Sequence, residues 1–273
     1  MKFQCFLLCT LITSVLSSTY KRIISFGDNY SDNGNYFKLL NHTSPLFYNG
    51  RLTNGNTWLD YLKTDLVANL TSYAYIKATS NNELFNVDST LKIPGCKQQV
   101  NKFKQDFQHY KHLNQTLITF NFGGNELILP DSQPNIIIQE LETCLTDLLN
   151  LYPFNTILLS TSTIIDLLPV IQAIGEPFES FIRSKVNIFN QLYSQSFIKL
   201  QQKYNKINLI EDHFRDFWLL TLTNTTLNTK DSCFDKDKKC VSANNYFYWD
   251  NTHPTTRIHR LIAEDALNYI KKK

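Results

Sequence analysis

Beyond its first twenty residues the chain has no stretch apolar over the roughly 20 positions that a bilayer-spanning helix needs, so stable membrane insertion is not expected. It also lacks a charge imbalance. Lys and Arg total 27 against 24 Asp and Glu, a formal net charge of +3, which argues against a nucleic-acid or other polyanion partner. The terminal Lys271-Lys272-Lys273 reads as a solvated helix end, favoured by the helix dipole. No CxxC pair or paired-histidine spacing is present, so neither a metal nor another cofactor is implied; His42, His109, His112, His213 and His259 read as surface or packing residues. There is no internal repeat, low-complexity tract or interdomain linker. With 42% hydrophobic residues the composition is that of a folded chain.

What is present begins with a leader-like segment. Lys2 is followed by an apolar run from Phe3 to Leu16 and by small residues at Ser17 and Ser18, the pattern of a secretory signal; the alternative is a membrane anchor, for which the run is short. Residues 1–18 are therefore expected to be a signal peptide, and 19–273 a single domain of about 255 residues, secreted and monomeric. Cys5 and Cys9 leave with the leader. Four cysteines remain, an even number that suits two bridges in an oxidising compartment. Cys233 and Cys240 flank a short polar stretch and pair most simply, which leaves Cys96 with Cys144. Three connectivities are open on spacing alone, as are free thiols. Asn-x-Ser/Thr acceptors at Asn41, Asn69, Asn114 and Asn224 fit surface glycosylation, and a fifth falls at Asn29.

Short apolar runs alternate with helical spacing along the chain. Runs at 21–26, 70–78, 116–122, 155–162 and 206–211 have the length and residue types of buried strands. Between them Val100, Phe103 and Phe107 recur at helical spacing, as do Ile137, Leu141, Cys144, Leu145 and Leu148. Segment 177–204 repeats the pattern through Phe181, Val186, Phe189, Leu192 and Phe197, and Thr255–Lys272 through Ile258, Leu261, Ile262, Ala266 and Ile270. Such alternation implies an α/β fold in three α/β/α layers around a five-stranded parallel sheet, with functional groups beyond the C-terminal strand ends.

Three unusual segments fall at such ends. Gly27-Asp28-Asn29-Tyr30-Ser31 follows the first run, Gly123-Gly124-Asn125-Glu126 the third, and Asp250-Asn251-Thr252-His253-Pro254 opens the last helix. In this order they resemble the GDSL (SGNH) hydrolase family. Gly50-Arg51-Leu52-Thr53-Asn54-Gly55-Asn56-Thr57-Trp58 and Ser72-Tyr73-Ala74-Tyr75 are similar to further segments of its secreted, fungal-type members. The resemblance implies acyl transfer by a serine, a histidine base and an orienting aspartate, with the oxyanion held by N–H donors. Position by position, Asp250 is the orienting acid, His253 the base, and Asn125, Gly124 and the backbone of Lys77 the oxyanion region. The nucleophile position holds Asn29.

An amide is a poor nucleophile, and loss of a triad serine costs on the order of 10⁶ in turnover. Ile76-Lys77 stands where the family usually has Gly-Gly, and a side chain there is expected to obstruct backbone approach. Ser31 is expected to cap the following helix. The family's final aspartate is Glu126. These departures imply a catalytically impaired esterase-like protein retaining a cleft for a small-molecule acyl ester, acylated carbohydrate or lipid. One alternative is an active carboxylic-ester hydrolase using Asp250 and His253 by an unconventional route, such as direct attack by activated water. Another is a non-catalytic surface or structural protein whose cleft is closed by Lys77.

Overall fold

A computed structural model describes residues 20–41, 43–88, 90–106, 113–151, 156–235 and 238–272. The leader, Cys5, Cys9, His42, Phe107, His109, His112 and the start of the run at 155 lie outside these described residues.

The chain runs β1 (Arg22–Gly27), α1 (Asn35–Leu40), α2 (Trp58–Asp65), β2 (Asn69–Ser72), α3 (Cys96–Asp106), β3 (Thr116–Asn121), α4 (Pro134–Leu151) and β4 (Thr156–Ser160). It continues through α5 (Pro169–Gln172), α6 (Phe178–Lys203), β5 (Asn208–Asp212), α7 (Phe214–Thr223), β6 (Asn228–Ser232), β7 (Phe234–Asp235), β8 (Lys238–Lys239), β9 (Tyr246–Tyr248) and α8 (Thr256–Lys271). The main sheet has five parallel strands in the order β2-β1-β3-β4-β5. Its central strands are buried on both faces, which is why β1, β3 and β4 show no apolar–polar alternation and carry Ile, Leu and Phe on both sides. The expected run at 70–78 is corrected: β2 ends at Ser72. Beyond it Tyr73 and Tyr75 still donate to the carbonyls of Ser25 and Gly27, but the chain then turns under the sheet edge. Tyr73, Ala74, Ile76 and Ala78 are apolar because they are buried in that turn.

Strand order reverses between β1 and β3. In a doubly wound sheet such a switch opens a crevice beyond the C-terminal strand ends, because the connections leave towards opposite faces. The loops after β1 and β3 flank that crevice. Helices cover the sheet with the expected stripes: Ile258, Ile262, Ala266 and Ile270 of α8 are buried, as are Ile137, Leu141, Leu145 and Leu148 of α4. Phe181, counted on the apolar side of α6, is exposed instead. Two bridges form, Cys96–Cys144 joining α3 to α4 and Cys233–Cys240 closing the loop around β7 and β8. Among the described residues no helix is long and apolar enough to cross a membrane. None of them form a group of three or more His, Cys, Asp or Glu side chains able to hold a metal ion.

Candidate active site

β1 ends on Gly27 and the chain winds into one helical turn, with the N–H groups of Ser31 and Asp32 both donating to the carbonyl of Asp28. The turn leaves the Asn29 side chain half-buried at the crevice. The next helix is not capped by Ser31, whose hydroxyl is buried without a partner. Asp32 does that work: its carboxylate accepts from the N–H groups of Gly34 and Asn35 at 2.8 Å and of Tyr36 at 2.9 Å. The same carboxylate accepts the Ile76 N–H at 2.9 Å, so it also pins the 76–77 turn beside Asn29. The correction has a simple cause: a carboxylate carries enough lone pairs for four donors, and a serine hydroxyl does not.

On the opposite wall, Asp250 and His253 share one tight loop closed by the Trp249 N–H on the His253 carbonyl at 2.7 Å. Asp250 Oδ1 accepts the N–H groups of Thr252 and His253 at 2.8 and 2.6 Å, and both its oxygens lie 3.0 Å from His253 Nδ1. Burial pushes the Asp250 carboxyl up, but the His253 ring and these N–H groups outweigh it and hold it below the usual carboxylate range. The 50–58 segment docks this loop. Thr53 Oγ1 donates to the Pro254 carbonyl at 2.9 Å, and Asn54 Oδ1 accepts the Thr256 N–H at 2.8 Å. Gly55 lets Thr256 approach so closely that a Cβ there would lie 2.7 Å from its hydroxyl. From behind, Phe234 of the Cys233–Cys240 loop packs on Trp249, with ring centroids 5.5 Å apart.

The two walls meet at one carboxamide. Asn29 Nδ2 is 3.1 Å from His253 Nε2; Asn29 Oδ1 accepts the Lys77 N–H at 2.9 Å and an Asn125 Nδ2 hydrogen at 3.0 Å. The orientation is determined by chemistry, since a backbone N–H can only donate and must face the oxygen. It follows that His253 Nε2 accepts, and that its proton sits on Nδ1, facing Asp250. Asn125 is held in turn by the Ala78 carbonyl at 2.8 Å. One carboxamide thus bridges the two walls: its nitrogen faces the His253 ring, and its oxygen lies between the Lys77 and Asn125 donors.

Lys77 does not obstruct this arrangement. Its backbone adopts the left-handed conformation, with φ at 65°, which favours glycine and agrees with the residue the resemblance implies. Its side chain pairs with Asp88 at 2.8 Å, which lowers the carboxyl of Asp88. Gly124 lines the cleft.

The cleft is a cavity of about 680 Å³ that has Asn29, Asn125 and His253 in its wall. Most of the remaining surface is apolar, including Phe47, Leu52, Ile165, Leu168, Ile171 and Phe178. Much of it comes from residues 162–168 after β4, from α5 and from the start of α6, which the sequence motifs did not indicate. Beneath Asn29 lie two buried carboxyls that spacing could not bring together. Asp28 is pushed up to about 8, first by burial and then by the neighbouring Glu126, and burial raises Glu126 as well. Of the proposed acceptor asparagines, Asn41, Asn69, Asn114 and Asn224 are all exposed, whereas the Asn29 amide is engaged within the site.

The fold is a doubly wound parallel α/β sheet, and at its C-terminal strand ends an Asp–His pair faces a cluster of N–H donors. The sequence profile of the GDSL-like lipase/acylhydrolase family matches residues 23–266. A thermolabile hemolysin from Vibrio parahaemolyticus is 24% identical over 275 residues; the match covers 90% of this chain and 63% of the relative, so the chain spans under two thirds of that protein. Among solved structures, a lipolytic G-D-S-L family protein from Veillonella parvula superposes with a TM-score of 0.51 at 12% identity, covering 92% of this chain and 99% of that one. LAE5, an α/β hydrolase from the Lake Arreo metagenome, gives 0.52 at 11% identity, covering 92% and 95%. The chain belongs to the GDSL-like lipase/acylhydrolase family.

Proposed function

We propose that this protein is a secreted, catalytically impaired member of the family that retains a cleft for the acyl part of a lipid ester. One observation carries the reading: the Asn29 carboxamide engages His253, Asn125 and the Lys77 N–H together, so the machinery for ester cleavage is assembled around a side chain with no hydroxyl to activate. In this reading Asp250 orients His253, while Asn125 and Lys77 are the remaining oxyanion donors. The apolar lining of the cavity favours an acyl chain over an acylated carbohydrate, whose hydroxyls would lose water there without partners. Residues 1–18 act as the leader, 19–273 form one monomeric domain, and Asn41, Asn69, Asn114 and Asn224 are glycosylation acceptors. The open cavity disfavours a structural protein with a closed cleft.

The test is hydrolysis of p-nitrophenyl esters alongside binding of fluorescent fatty acyl esters. The native protein is expected to bind long-chain ligands and to turn over short-chain esters no faster than H253A. Turnover by the native protein that vanishes in H253A would establish the active-hydrolase alternative, with water as the nucleophile. Binding that is indifferent to chain length would remove the lipid assignment.

A further inference from the structure

We propose that Asn29 is itself a substrate of the surrounding machinery, and that the protein hydrolyses this side-chain amide to an aspartate. The inference rests on the assignment of Asp250, His253, Asn125 and the Lys77 N–H as retained machinery, and is independent of what the cleft binds. The geometry around Asn29 is that of an acyl group awaiting attack. Its carbonyl oxygen lies 2.9 Å from the Lys77 nitrogen and 3.0 Å from Asn125 Nδ2, so charge developing on that oxygen meets two N–H donors already in place. Its nitrogen, the leaving group, is 3.1 Å from His253 Nε2, the atom that would return a proton to it. Asp250 contacts Nδ1 from both oxygens at 3.0 Å, which keeps the lone pair on Nε2. The carboxamide lines an open cavity, so solvent reaches its carbon from the cleft side.

The step balances with water as the only co-reactant. His253 Nε2 takes a proton from water as its oxygen bonds to Asn29 Cγ, and the carbonyl electron pair moves onto Oδ1. The adduct then collapses: the Cγ–Nδ2 bond breaks, Nδ2 takes the proton from His253, and ammonia leaves. Ammonia then takes the proton of the new carboxylic acid, so the products are a side-chain carboxylate and ammonium. Fixed proximity is what makes an otherwise very slow amide hydrolysis accessible, because donors, base and carbonyl are held in one arrangement. The usual route of asparagine loss differs, since the next backbone nitrogen closes a ring on the side chain. The backbone bonds from Ser31 and Asp32 to Asp28 hold that turn in a fixed conformation that opposes ring closure.

The test follows residue 29 by peptide mass mapping of the full-length folded protein, incubated near neutral pH. The Asn-Gly pairs at Asn33, Asn49 and Asn54 report the ring-closure route in the same digest. Conversion of Asn29 is expected to give aspartate without isoaspartate, and to slow by about 100-fold or more in H253A. Asn125→Ala is expected to slow it as well. D250N, which leaves the loop's shape and disturbs the histidine tautomer, repeats the test should H253A unfold; circular dichroism checks both. The proposal is overturned if residue 29 stays an amide while the Asn-Gly markers convert, if isoaspartate appears, or if folded H253A or D250N converts as fast as native. If N29S hydrolyses esters while native Asn29 persists, the inference fails and the functional reading stands. If Asn29 converts but N29S is inert, the reverse holds.

Discussion

Replacing Asn29 by serine is the perturbation that reads most directly on the site. It removes a carboxamide that bonds to three groups and places a hydroxyl within reach of His253 Nε2. On stability, three bonds at about 0.5–1.5 kcal/mol each set an upper range, and the loss falls to about 1–3 kcal/mol because the freed donors face a solvent-accessible cleft. On turnover, a triad serine is worth on the order of 10⁶. A hydroxyl misplaced by about 1 Å in a turn that holds asparagine subtracts about 10² or more. N29S is therefore expected to exceed native by about 10³ or more on p-nitrophenyl esters. Its KM should fall as the acyl chain lengthens, because each buried methylene contributes about 0.8 kcal/mol in the apolar cavity. Asn29→Ala and N29S/H253A are expected to remain at the native level. A folded N29S that is inert towards every chain length would refute the claim that the rest of the machinery is intact.

Further outcomes follow from the same structure. Asp28 and Asp212, raised by burial to about 8 and about 7, hold protons more tightly folded than unfolded, so their contribution is full at low pH and is lost as pH rises. Between pH 6.5 and 8 the unfolding free energy in urea should fall by about 2 kcal/mol, and D28N should remove most of that slope. Below pH 6.5 the opposite sign comes from His259, which burial lowers to about 3; its contribution is lost as pH falls and offsets part of the carboxyl slope, so His259→Gln should make the gain in stability from pH 6.5 to 4.5 steeper. Asp32→Ala leaves four N–H groups without their acceptor and should cost about 3 kcal/mol or more by thermal melting, with Asp32→Asn recovering part. Replacing both cysteines of the Cys96–Cys144 bridge should cost about 4 kcal/mol, against about 2 for Cys233–Cys240, because the closed loops span 48 and 7 positions. Equal urea midpoints for the two double variants would contradict the loop-entropy account.

Much of the frame was legible in the residues themselves. β1, β3 and β4 are buried on both faces, so each carries Ile, Leu or Phe without apolar–polar alternation, and α4 and α8 carry one stripe each at helical spacing. The shorter pieces were not legible. α1 has only six residues, too few for a periodic pattern, and the strands β6 to β9 are held by the Cys233–Cys240 loop and by Trp249 rather than by apolar alternation. For α2 a signal was available: Thr57 and Asp60 form a capping box, in which Asp60 also pairs with Arg51 at 2.5 Å.

By sequence alone the chain determined its parallel sheet, the order of its three motif segments and the replacement at position 29, because each of these is a property of local composition and spacing. Only the tertiary structure decided what that replacement does. Asn29 is 48 positions from Lys77, 96 from Asn125 and 224 from His253, and their meeting depends on the strand-order reversal between β1 and β3. The direction of the carboxamide, the closeness of Asp28 to Glu126 and the apolar cavity all depend on that meeting. Hydrogen-bond donors and buried carboxyls acquire their chemistry from what faces them, and what faces them is set by the fold.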